Sequence, residues 1–259
     1  MDLGISGRKA IVCASSRGLG RACAFALAQA GCDVVVNGRN DKTVAATAEE
    51  LRLSTGANVT AVVADVATAE GQAALLGACP EPDILVNNNA GPPFRDFREL
   101  TRAQMVDGVI ANMVVAIELT QKVIDSMCAK NFGRIVNITS GSVKMPLSGL
   151  DLSSGARAGL TGFLAGVARS VAASNVTINF LLPGAFDTER LASNMAMTAK
   201  KRGVSIEEAR KERMAIVPAK RFGTPAEFGD ACAFLCSAQA GYITGQSLLI
   251  DGGIYPGVL

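Results

Sequence analysis

Near the start of the chain, Cys13-Ala14-Ser15-Ser16-Arg17-Gly18-Leu19-Gly20 stands between a β-branched run and a helical pattern. Gly18 and Gly20 let backbone pass close to a ligand, and the helix that follows offers free N–H groups and a partial positive charge at its N-terminus. With Ser15, Ser16, Arg17 and Leu19 they form a turn suited to the pyrophosphate of a dinucleotide. The second β-branched run ends in Val36-Asn37-Gly38-Arg39, where a preference for NAD would usually place an acid against the ribose 2′-hydroxyl. Arg39, joined by Arg17 from the turn, offers planar charged forks that match a 2′-phosphate instead. NADP(H) is therefore expected in preference to NAD(H). Asp41 lies past the turn and is expected to start the next helix.

Positioning these residues falls to an alternation of short β-branched runs with longer helical patterns, the signature of βαβ units building a parallel sheet. The runs are Lys9 to Cys13, Asp33 to Asn37, Val59 to Ala64, Ile84 to Asn87, Arg134 to Thr139, Val176 to Leu182 and Ser247 to Asp251. Arg21 to Ala30 sets Cys23, Ala26, Leu27 and Ala30 on one helical face before Gly31 stops it. Thr101 with Gln104, Ser205 with Glu208, and Thr224 with Glu227 have the spacing of capping boxes. The expected fold class is α/β, a single Rossmann-fold domain over residues 1–259. It is a doubly wound parallel sheet of about seven strands. A small helical substrate flap is expected over about residues 185–220, where charge and Met content rise before the sheet pattern resumes. Leu191, Met195, Met197 and Met214 would give that flap an apolar lining.

The 259 residues, 49% hydrophobic and 19% charged, can bury one sizeable core. A net charge of +2 with scattered basic residues lacks the one-sided potential of a nucleic-acid or membrane-surface binder. The seven cysteines show neither zinc-ligand pairs nor disulfide-scaffold density, so reduced core thiols and no metal are expected. Neither a secretory leader nor an uninterrupted apolar span is legible, which points to the cytoplasm.

The whole chain resembles the classical short-chain dehydrogenases/reductases, and most of all their 3-oxoacyl-acyl-carrier-protein-reductase-like members. In that family the glycine turn reads Thr-Gly-x-x-x-Gly-x-Gly, so Gly18 and Gly20 match while Cys13 and Ala14 replace the first two residues. Losing the first glycine is tolerable if the turn there keeps negative φ. The resemblance places the adenine contact at Asp65-Val66. The Asn-Asn-Ala-Gly motif falls on Asn87-Asn88-Asn89-Ala90-Gly91, with an Asn in place of Ala or a one-residue shift. Pro183-Gly184 and Thr188 fall near the nicotinamide end, and Arg221 to Pro225, Tyr242 to Gln246 and Asp251-Gly252-Gly253 complete the match.

The family's catalytic set is an Asn, a Ser and a Tyr-x-x-x-Lys on a helix. Asn112 and Ser140 match the first two, but the tyrosine position falls on Ser153 and the lysine position on Arg157. The chain has no histidine, and its two tyrosines, Tyr242 and Tyr255, lie near the C-terminus. Hydride delivery to a carbonyl leaves an alkoxide that needs charge stabilisation and then a proton. A serine hydroxyl is a poor acid, and Arg157 can hold an oxyanion and the nicotinamide ribose but keeps its protons. Lys144, on the loop after Ser140 that borders the substrate in this family, is the nearest candidate donor.

Two functions fit. One is an NADP(H)-dependent oxidoreductase acting on a carbonyl or secondary alcohol, 3-oxoacyl compounds among them, with non-standard catalytic residues. The other is a nucleotide-binding pseudoenzyme, a redox sensor or assembly subunit. A hydro-lyase or isomerase doing no net redox chemistry is a third reading. The resemblance also implies a homotetramer or dimer through helices near Ala103 to Lys130 and Ser153 to Ser174. Small residues of the second helix (Gly155, Ala158, Gly159, Gly162, Ala165, Gly166) would allow close approach there or against the sheet.

Overall fold

Strands whose side chains are apolar in both directions can be buried only between two layers, and that is what the β-branched runs build. The computed structural model describes residues 2–92 and 94–257. In chain order the first half is β1 (Lys9–Val12), α1 (Gly18–Gln29), β2 (Asp33–Gly38), α2 (Asp41–Thr55), β3 (Val59–Val63), α3 (Ala69–Ala78) and β4 (Ile84–Asn87). Then come α4 (Arg102–Val109), α5 (Val115–Ala129), β5 (Gly133–Ile138), α6 (Asp151–Val171), β6 (Val176–Pro183), α7 (Glu189–Arg202), α8 (Ile206–Ala215), α9 (Pro225–Cys236) and β7 (Ser247–Ile250). All seven expected strands form, each within a residue or two of its expected bounds.

The sheet is parallel throughout, in the order β3-β2-β1-β4-β5-β6-β7. Alternate side chains feed two cores. Val12, Val34, Val36, Val86 and Val136 meet α1, α2 and α9 on one face, through Leu27, Leu51 and Phe228 among others. Ile11, Val35, Leu85, Ile135 and Ile178 meet α3, α5 and α6 on the other, through Leu75, Leu119 and Leu160. Each such buried side chain contributes about 1.5–3 kcal/mol, so the two layers hold the strand ends in fixed register. Growth of the sheet reverses between β1 and β4, and a crevice at the carboxyl ends of these strands is where such sheets bind ligands.

Thr101 with Gln104 and Thr224 with Glu227 form both bonds of a capping box. At Ser205 only half forms: its side chain accepts from the Glu208 N–H, and the return bond from Glu208 is absent. Between α4 and α5 the chain widens into a π-turn, Ile110–Val114. The resulting helix, Arg102–Ala129, is the one helix among the described residues long and apolar enough by composition to cross a membrane. It lays Leu119, Val123 and Met127 against the sheet as a core helix does. Of the seven cysteines, all free, six are buried.

Candidate active site

The glycine turn is held from beneath by two asparagines. Asn37, ending β2, accepts the Ala14 N–H at 3.0 Å with Oδ1, and its Nδ2 donates to Val62 and Ala64 carbonyls in the direction of β3. Asn88 Nδ2, just past β4, donates to the Ala14 carbonyl at 3.2 Å. A side chain on Gly20 would lie 2.5 Å from that same carbonyl, so only glycine fits. Gly18 has φ +58°, and a Cβ there would meet nothing within 4 Å: it faces open space. Arg17 is the N-cap of α1 yet makes no side-chain cap bond, so the first amides of α1 keep their donors for a ligand. These features fit a diphosphate. The condition set for losing the first glycine is not met: Ala14 has φ +45°, so the chain turns left-handed here although the residue is not glycine.

Not every expected contact residue keeps a free side chain. Ser15 is fully buried, donating to the Val12 carbonyl at 2.6 Å and accepting the Asn37 N–H, so it braces the turn. Val66 is buried in the core, leaving only its backbone to reach a ligand, while Asp65 stands at the rim. Ser16 accepts the Thr47 hydroxyl with its carbonyl. Leu19 packs on the core beneath the turn. Arg17 and Arg39 do not meet: Arg17 leans to Glu189 at 3.6 Å and Arg39 to Asp65 at 3.6 Å. Both arginines are largely exposed, and such pairs are worth little, so either is free to swing onto a 2′-phosphate.

Around the ends of β4 and β5, Asn89, Asn112, Asn137 and Arg157 line one cavity. Ser153 and Arg157 share a buried face of α6, and Arg157 Nε donates to Ser153 Oγ at 3.2 Å. Arg157 Nη1 donates to the Ile138 and Thr139 carbonyls at 2.7 and 3.0 Å, which ties α6 to the end of β5. Burial brings the Arg157 guanidinium down to about 10, and Arg190 pushes the same way. Asn112 sits in the π-turn, donating to the Gly108 carbonyl at 3.0 Å, while its buried Oδ1 has no partner among the described residues. Asn87 Oδ1 is likewise unpartnered, and both border a cavity of about 20 Å³ that Asn89, Asn137 and Arg157 help to line. Asn89 bridges the site by donating to the Ala111 carbonyl at 3.1 Å, and its Oδ1 accepts the Ala90 N–H at 2.8 Å.

Ser140 caps the 3-10 turn Gly141–Val143, where its Oγ accepts the Ser142 N–H at 3.1 Å. Lys144 ends that turn with its Nζ 5.8 Å from the centre of the Tyr255 ring. Pro183 ends β6, and Gly184 returns a bond to the Ile250 carbonyl where a Cβ would strike Asp251 at 2.6 Å. Thr188 caps α7, its Oγ1 accepting the Leu191 N–H. Asp187 is clamped by Arg210 of α8, which fixes the helical pair α7–α8 over this edge. Met195 is buried, Leu191 and Met214 are half-buried, and Met197 is 60% exposed. Sequence reasoning missed Asn37, a polar residue in a run of valines that the turn needs, and Arg190, two residues beyond Thr188.

A family model described as enoyl-(acyl carrier protein) reductase matches residues 13–255. The chain is 30% identical over 259 residues to the 3-oxoacyl-acyl-carrier-protein reductase of Aquifex aeolicus, covering 98% of this chain and 100% of that one. It is 33% identical over 254 residues to the protein of that name from Escherichia coli, covering 98% and 99%. Among solved structures it is similar to L-sorbose reductase from Gluconobacter frateurii complexed with NADPH and L-sorbose. The TM-score is 0.94 at 28% identity, and each chain is covered fully.

Proposed function

This chain belongs to the short-chain dehydrogenase/reductase family, among its 3-oxoacyl-acyl-carrier-protein-reductase-like members, and from that premise we propose an NADP(H)-dependent reductase of ketones or dehydrogenase of secondary alcohols. The observation that carries the reading is the glycine turn at the β1–β4 crevice, with unspent amides on α1 and Arg17 and Arg39 on either side. When bound, NADP(H) supplies or accepts the two electrons. Gly18, Gly20 and the first amides of α1 would hold its diphosphate, Arg17 and Arg39 its 2′-phosphate, Asp65 and the Val66 backbone its adenine. Asn89, Ala90 and Gly91, with Pro183, Gly184 and Thr188, would border its nicotinamide end.

Ser140 and Ser153 orient the substrate oxygen by hydrogen bonds, and Arg157, still protonated at neutral pH, stabilises negative charge that develops beside it. Lys144 supplies the proton. The Tyr255 ring beside its ammonium adds a phenol at the same edge. Asn112, which lines one cavity with Arg157, would take part in the proton path. The active chain is a homo-oligomer in the cytoplasm, taking a small carbonyl or alcohol substrate, with 3-oxoacyl thioesters the first class to try.

A second reading, a nucleotide-binding pseudoenzyme, is favoured by one observation: Arg157 is locked by three bonds and Ser153 by one of them, a braced pair with no acid near neutral pH. Calorimetry against NADPH and NADH, followed by NADPH absorbance with a panel of oxo compounds, separates the two. Tight NADPH binding with oxidation that Lys144→Ala abolishes supports the reductase. Tight binding with no turnover in the native chain, and turnover gained in Ser153→Tyr/Arg157→Lys, supports the pseudoenzyme. Equal affinity for both dinucleotides removes the role given to Arg17 and Arg39.

A further inference from the structure

Arg157 spends Nε and Nη1 on Ser153, Ile138 and Thr139, which leaves Nη2 toward Gly91. The point a Cβ would occupy on Gly91 lies 3.5 Å from Arg157 Nη2, 3.1 Å from Arg190 Nη2 and 3.3 Å from Arg190 Nη1. Two guanidinium groups thus close on one spot that glycine keeps clear. Among the described residues neither has a carboxylate partner, since Glu189, next to Arg190, sits beside Arg17. Arg157 is nine-tenths buried, so little water screens the repulsion between them. Arg190 is exposed on the first turn of α7 and has open solvent to turn to. Its approach to a buried like charge therefore marks a place built for a shared counter-charge.

We infer that Arg157 and Arg190 form a clamp over Gly91 for an oxyanion, phosphate or carboxylate, gripped by both Nη of Arg190 and by Nη2 of Arg157. Guanidinium forks suit such oxygens, and the bonds are charge-assisted. The inference rests on the dinucleotide reading in one respect: the oxyanion belongs either to the nicotinamide-side phosphate of that ligand or to an acidic group of the oxo substrate.

The test uses the full chain with Arg190→Met and Arg190→Lys, substitutions on an exposed side chain that leave the core untouched. Arg157 is unsuitable, because removing it strands two buried carbonyls. Calorimetric Kd for NADPH is measured first, then binding of acetoacetate and of its neutral methyl ester to the NADPH-loaded protein. If the phosphate is the ligand, Arg190→Met weakens NADPH by tenfold or more and Arg190→Lys recovers part of the loss. If the substrate supplies it, NADPH affinity holds while acetoacetate loses tenfold relative to the ester. If neither changes, the clamp is refuted and the dinucleotide reading stands. Inorganic pyrophosphate serves as the separate probe: a rise in melting temperature in the native chain that Arg190→Met lacks, without NADPH binding, keeps the clamp and refutes the dinucleotide reading. No response to either probe refutes both.

Discussion

A left-handed backbone costs a residue bearing a Cβ roughly 1–2 kcal/mol, and Ala14 pays it at φ +45°. The site compels this conformation. Ala14 presents its N–H to Asn37 and its carbonyl to Asn88 while leaving room only for glycine at position 20, and this left-handed course serves all three. Glycine here would release the strain but gain freedom in the unfolded chain, an offset of about 0.4–1 kcal/mol. Ala14→Gly is therefore expected to stabilise the protein by about 0.5–1 kcal/mol, read as a higher denaturant midpoint at unchanged slope. A loss of stability would mean that the turn is not strained. Arg157 makes the opposite point. With its guanidinium at about 10, below the ordinary arginine value, the folded protein sheds this proton before the unfolded chain does. Its burial cost is thus fully present below about 10 and is relieved only as pH rises from there towards the ordinary arginine value. Nothing in its titration falls near neutrality, so it acts on a reaction as a fixed charge.

Helix α1 aims its N-terminus at the ligand because α9 holds it in place from behind. Gly229 of α9 lies so near α1 that a Cβ on it would stand 2.4 Å from the Ala22 carbonyl, a backbone atom that cannot turn aside. Gly229→Ala must therefore push the two helices apart, at a cost on the order of 1–3 kcal/mol. Since α1 carries the glycine turn, NADPH affinity should fall with it, whereas an exposed glycine such as Gly77 should tolerate the same change in both assays. Elements of this kind were legible from sequence because period and punctuation are local: valine runs gave the strands, and Thr224 with Glu227 gave the start of α9. The glycine turn was legible for the same reason. What stayed hidden depends on contacts far apart in sequence. Ser15 reads as a ligand contact until Asn37 claims it, and Val66 until the core does. Arg190 has no local signature; only folding brings it to Gly91 and Arg157. Lys144 and Tyr255 likewise meet only through the closure of the sheet edge.

At the scale of the whole molecule, one face remains whose chemistry does not suit water. Gly155, Gly162 and Gly166 of α6 face open space, whereas Gly159 lies against Met113 and Ala165 packs on the core. Phe163 is 50% exposed beside them, and Val106, Val109 and Ile110 are exposed along the neighbouring helix. Small residues spaced along a helix let a second backbone approach closely, and exposed apolar side chains around them supply the area that makes such an approach favourable. The same helix buries Ser153 and Arg157 on its other side, so a partner seated on α6 would steady the pair proposed to act on the substrate oxygen. We therefore expect the native chain to run as a dimer or tetramer in light scattering at micromolar concentration. A glutamate at position 162 would place a charge in the middle of this face without touching the core, since Gly162 has nothing within 4 Å. Gly162→Glu should give a folded monomer by circular dichroism and scattering, with weaker NADPH binding because α6 loses its support. A native chain that stays monomeric at high concentration, or a Gly162→Glu variant that assembles as before, would assign this surface no part in self-association.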